Sequence, residues 1–145
     1  MLKKFPRIIK NKKKSELAEV ENKETTNRIK WVEYKQKQIL YIDYSNFLTT
    51  DETIKTILNI NDFIKKYNDY NLLILVDVRK SFADEKIIVE ALKNSALIIK
   101  PYIKKAAVVG VTTTQQVILT IVNVFSGLGI KPFYTLEEAE DWLVK

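Results

Sequence analysis

Five consecutive large aliphatic residues, Leu72 to Val76, run directly into Asp77 and Arg79. A strand with one face in water alternates apolar and polar residues. An unbroken aliphatic run of this length therefore predicts a strand covered on both faces. Such a strand needs a packed layer on each side, and the flanking sequence supplies helices. After Thr49, Thr50 or Asp51, each able to cap, Ile54, Ile57, Leu58, Ile60, Ile64 and Tyr67 recur at three- and four-residue spacing. That pattern predicts an amphipathic helix to about Tyr67.

The same alternation continues downstream. Asp84 to Ile99 reads as a second helix with acids in its first turn and Lys100-Pro101 at its end. "AAVVGV", residues 106–111, is another buried strand. Thr114 to Phe125 is a third helix, closed by Ser126-Gly127-Leu128-Gly129, where glycine takes the left-handed cap conformation. "IKPFY" is a short last strand whose proline suggests an edge. Thr135 and Glu138 form a capping box for a final helix. Upstream, "RIKWVEY" and "QILYIDY" predict an antiparallel hairpin about Gln36-Lys37. The order is β-β-α-β-α-β-α-β-α, which predicts an α/β domain with a mixed, mostly parallel five-stranded sheet and four helices.

The chain of 145 residues contains neither histidine nor cysteine. This removes Ser-His-Asp and Cys-His catalysis, disulfides and ordinary zinc sites. Acid–base chemistry would have to use Asp, Glu, Lys or Tyr with a strongly shifted pKa, so an enzyme is not expected, nor a cofactor or metal. The net charge of +6 is unevenly placed. Seven Lys and Arg residues and no acid fall in residues 1–14, leaving 17 basic and 18 acidic side chains in the rest. Residues 1–27 read as a basic arm and polar linker, flexible and outside the domain of residues 28–145. The arm suits an anionic membrane surface, with Phe5, Ile8 and Ile9 to assist. Nucleic acid is not expected, because no aromatic–basic interleaving occurs elsewhere. With no long apolar run and no signal-peptide core, the expected location is cytoplasmic or peripheral at the inner face of the membrane.

"LLILVDVRKSF", "WVEY…ILYIDYSN" and "AAVVGVTTTQQVILTIVNVFSGLGIKPFYTLEEAEDWLV" resemble the SpoIIAA-like proteins. These are small bacterial domains of the STAS superfamily with structural kinship to CRAL-TRIO lipid-transfer domains. The resemblance spans about residues 28–145 and is most specific at Gly127, Pro132-Phe133, Ala139 and Trp142-Leu143. It implies a single α/β domain without established catalytic activity. The roles it implies are binding a hydrophobic small molecule or lipid, peripheral membrane association, and regulatory protein contacts, with a protein partner or a second copy. Phosphorylated STAS domains carry a serine at a helix start. Ser81 stands in the comparable region, but the surrounding serine and glycine are missing, and capping by Ser81 or Asp84 is the physical alternative.

Two strand ends and one helix are the candidate site. Asp77 and Arg79, two apart, face the same way if the strand persists, at the end of the sheet where α/β proteins place ligands. They serve equally as an ion pair that ends the strand. Ser81 and Phe82 extend this rim. Gly110, Thr112, Thr113 and Thr114 form the second strand end, with free N–H groups for an anion or simple capping by Thr113 or Thr114. The third helix is apolar around most of its circumference, which predicts burial first, or else the lining of an apolar cavity or a membrane-facing surface. Its excess over what a small core needs makes Ile118, Ile121, Val122 and Phe125 the wall for a hydrophobic ligand. A phosphoacceptor receiver is excluded, since Asp43 alone gives Mg²⁺ too few oxygens.

Overall fold

The computed structural model describes residues 28–46, 49–81 and 86–145. The basic arm, Phe82 and Asp84 lie outside them. Two strands, β1 (Ile29–Tyr34) and β2 (Lys37–Asp43), open the chain. Helix α1 (Thr50–Tyr67), β3 (Leu72–Asp77), α2 (Lys86–Ile99), β4 (Ile103–Val109), α3 (Thr113–Ser126), β5 (Lys131–Phe133) and α4 (Leu136–Val144) follow. One sheet runs in sequence order β1-β2-β3-β4-β5. Only β1 and β2 are antiparallel; the other neighbours are parallel. The predicted element order and mixed, mostly parallel sheet are both present.

Local chemistry sets the boundaries. The hairpin turns at Lys35-Gln36, one residue earlier than predicted, with both residues at positive φ (50° and 68°). A two-residue turn of that kind matches the twist of the strands. It is held to α4, because the Tyr34 hydroxyl and the Lys35 ammonium donate to the Asp141 carboxylate at 2.6 and 2.8 Å. Thr49 caps α1 by accepting from the Glu52 N–H, and Asn68 ends that helix in the left-handed conformation. Capping boxes start α3 at Thr112 and Gln115, and α4 at Thr135 and Glu138. Gly127 closes α3 at φ 72°.

The parallel crossovers all advance in one direction across the sheet. Right-handed connections of this kind place α1, α2 and α3 on one face. The terminal α4 folds over the other. Strand parity then divides the core in two. Leu40, Ile42, Leu72, Ile74 and Ala106 pack with Ile57, Ile60, Ile64 and Tyr67 of α1 and with Ile99 of α2. Ile39, Leu73, Leu75, Ala107 and Val109 pack with Ala139 and Leu143 of α4. The aliphatic run of β3 is thus covered on both sides, as its composition requires.

Candidate functional site

Asp77 ends β3 and is fully buried. By alternation it lies on the α4 face, with Leu73 and Leu75. Arg79 donates to its carboxylate through Nε (2.9 Å) and Nη2 (2.7 Å), and the Arg79 backbone N–H adds a bond at 3.1 Å. Tyr41, from β2, donates its hydroxyl at 2.5 Å. Burial pushes the Asp77 carboxyl up, but the bonds from Arg79 and Tyr41 outweigh it and hold the group below its ordinary value. Burial, with Asp77 beside it, raises the Tyr41 phenol, which stays protonated. Asp43 stands beside Asp77 in register. Asp43 accepts from Ser45 and lies 3.8 Å from the Arg28 guanidinium, so each carboxylate has its own arginine. Among the described residues, no group of three or more carboxylates could hold a metal ion.

Gly110, Ser81 and Thr112 of the rim are also fixed by their neighbours. A side chain at Gly110 would put its Cβ 2.4 Å from Cγ and 2.8 Å from Cα of Arg79, and φ there is +95°. Glycine is therefore required where the β4 end passes the β3 end. The Ser81 hydroxyl donates to the Val78 carbonyl at 2.7 Å. Gln115 reaches across from α3, its amide N–H₂ donating to the Ser81 carbonyl (3.0 Å) and hydroxyl (3.4 Å). Its amide oxygen accepts from the Thr112 N–H. The cap of α3 is thus Thr112, one residue before the predicted Thr113 or Thr114, both of which are exposed.

On the opposite face of the sheet lies a partly open apolar cavity of about 140 Å³. Its floor is Ile42, Ile74, Val76, Ala106 and Val108 from the strands, with Val78 just beyond β3. Leu92, Ser95, Ala96 and Ile99 of α2 and Gln115, Ile118, Leu119 and Val122 of α3 form its walls, with Ile60, Val111, Leu128 and Ile130 completing them. Of the predicted wall, Ile118 and Val122 line the cavity. The predicted rim interleaves with its lining: Val78 lies between Asp77 and Arg79, Val111 between Gly110 and Thr112. Tyr44 also lines it, its phenol raised and kept protonated by burial.

The predicted burial of α3 does not hold. Only Val122 and Ser126 of this helix are buried, while Val117 and Val124 are 62% and 80% exposed and Ile121 and Phe125 also face outward. The reason is positional. Helix α3 is the last of three helices on one face, packed on α2 and joined to the lead-in of β5 by Asn123, whose side chain bonds both polar groups of the Ile130 backbone. Beyond it the sheet ends in a three-residue strand, so among the described residues none covers its outer side. Ile87, Leu97 and Ile98 of α2 are exposed as well. The Lys93 ammonium sits 4.5 Å above the Phe125 ring, a cation–π contact that joins the two helices.

Sequence reasoning overlooked Tyr41, Gln115, and Ser95 with Asn61. The first two had signals: strand parity puts Tyr41 on the same face as Asp77, and Thr-x-x-Gln is a capping box. The third pair shows as polar residues inside the apolar stripes of α1 and α2. No described helix is long and apolar enough to cross a membrane.

Among curated proteins and among solved structures, nothing matches the chain. A family model described as SpoIIAA-like matches residues 39–144, from the second strand through the last helix. That span takes in both faces of the sheet, the cavity and the Asp77 cluster, and the chain belongs to the SpoIIAA-like family.

Proposed function

We propose that this chain is a non-catalytic module that takes a small hydrophobic molecule into the cavity between the sheet and helices α2 and α3, and meets a membrane surface peripherally through the exposed apolar side of α3. Membership of the SpoIIAA-like family supports a non-catalytic, STAS-type regulatory module at the coarser level. The finer reading is carried by one observation, the cavity. A partly open cavity with this apolar lining lets a ligand of matching size bury its apolar surface, at roughly 25 cal/mol per Å² removed from water. The size limits the occupant. An apolar cavity of about 150 Å³ accommodates a benzene-sized molecule, so a single ring or a short alkyl segment fits here and a whole lipid tail does not.

The test is titration with benzene, followed by NMR of the backbone amides of Val108, Ile118 and Val122. Saturable shifts are expected in the wild type and not in Ala106→Leu, whose added methyl groups occupy the cavity floor. A wild type without saturable shifts at millimolar benzene overturns the reading. For the membrane contact, co-sedimentation with phosphatidylcholine–phosphatidylserine vesicles should weaken with salt and with deletion of residues 1–14.

A second reading, a protein-interaction regulator switched at Ser81, is favoured by the bonds between Ser81 and Gln115. A phosphate on that hydroxyl would remove its bond to Val78 and crowd the start of α3. Capture of one specific partner that is lost in Ser81→Asp supports it.

A further inference from the structure

The cavity contains an acceptor. Ser95, in the buried stripe of α2, lines its wall and is nine-tenths buried. Its hydroxyl donates to the Asn61 side-chain carbonyl of α1 at 2.5 Å, and Asn61 is buried to the same degree. Two apolar side chains of similar shape would join these helices at least as well, because replacing both partners of a buried hydrogen bond is close to neutral. Stability is therefore a weak reason for polarity at this point, inside a contact otherwise made by Ile60, Leu92 and Ile99.

The direction of the bond determines what Ser95 offers. A serine hydroxyl has one proton and two lone pairs. The proton is committed to the Asn61 carbonyl oxygen, which has none to give. Toward the cavity Ser95 presents lone pairs alone. The Gln115 amide, the carboxamide in the lining, is spent on Thr112 and Ser81. Pockets that bind small molecules commonly pair an apolar lining with one or two such groups, which set orientation and selectivity.

Resting on the cavity reading above, we infer that the cavity selects a small apolar molecule carrying one hydrogen-bond donor, a cyclic or short-chain alcohol, phenol or amine-like N–H, whose donor is accepted by Ser95 Oγ. A ligand of the same shape with only a carbonyl or ether oxygen places its lone pairs against those of Ser95 and is disfavoured.

Cyclohexanol and cyclohexanone are a matched pair for the test, with benzene as the measure of the cavity itself. Each is titrated by NMR into the wild type and into an Asn61→Leu/Ser95→Ala double variant, which removes both partners and leaves no buried group orphaned. The wild type is expected to bind the alcohol about tenfold more tightly than the ketone, the effect of one matched buried hydrogen bond. In the double variant the ratio should fall to within about twofold, and benzene binding is measured in each variant to normalise for the altered wall. Equal binding of alcohol and ketone by a wild type that binds benzene overturns the inference and leaves the cavity reading standing. A preference that survives the double variant and vanishes in Tyr44→Phe also overturns it, since the acceptor would then be Tyr44. A wild type that binds none of the three removes the cavity reading, and this inference with it.

Discussion

The face of the sheet under α4 and the face under α1, α2 and α3 differ in how they are closed. One helix of nine residues covers the first. It is fixed by Tyr34 and Lys35 to Asp141, by Lys37 to the Val144 carbonyl, and by Lys105 to the Trp142 carbonyl at 2.9 Å. Its polar edge is the fully satisfied Asp77–Arg79–Tyr41 cluster. The second face has three helices and nevertheless contains a cavity, with an apolar helix surface left outside it. The difference shows that the amount of helix on a face does not decide how well it is filled. Three crossovers of similar length must share the space over five strands, and the outermost one overhangs a short edge. Polar pinning marks the closed face, and incomplete apolar packing marks the face proposed to receive a ligand.

Truncation should separate the two faces most sharply. Leu143→Ala removes a fully buried side chain from the closed face, and a loss of about 3 kcal/mol is expected in chemical denaturation. Leu119→Ala, on the wall of the partly open cavity, should lose about half as much, because fewer partner atoms are forfeited. Equal losses would dissolve the distinction between the faces.

Asp77→Ala is expected to destabilise by about 2 kcal/mol, mainly by stranding the Tyr41 hydroxyl, since Arg79 is half exposed and can turn to water. Binding of benzene on the opposite face should be unaltered. The pH dependence follows from the depressed folded-state pKa of Asp77. Its ordinary value is 3.8, so its contribution is complete above that and is lost as pH falls through the lower folded-state value. Asp77→Asn should flatten this part of the acid-denaturation profile. Superimposable wild-type and variant profiles would show that Asp77 takes no part in closing this face.

The smallest expected effect on stability is at the outer side of α3. Val124→Ser should change the unfolding free energy by less than about 0.5 kcal/mol, because the side chain is 80% exposed. The same variant should lower the partitioning of the protein onto anionic vesicles. Undiminished partitioning would exclude this surface from membrane contact.

Most of the architecture was legible in the residues. Run length marked β3 as covered twice, periodicity located α1, and Thr135 with Glu138 marked the start of α4. These are local signals, produced by backbone capping and side-chain spacing within a few residues. The site was legible only in outline. Ile118 and Val122 of the proposed wall line the cavity, as do Val78 and Val111 just beyond the strand ends, whereas Asp77 of the proposed rim faces away from it. Parity along β3 already separated Asp77 from Val76 and Val78. Which of the two faces held space was not written in that parity.

By itself, then, the amino-acid order determined the elements, their succession and the parallel character of the sheet, because hydrophobic spacing and chain connectivity act over short range. Tertiary structure alone decided that α3 keeps its apolar side outward, that Asp77 is matched by Arg79 and Tyr41, and that Ser95 meets Asn61 at a cavity wall. Each of these depends on which surfaces remain uncovered once three helices compete for one face, and that competition has no signature within any single segment.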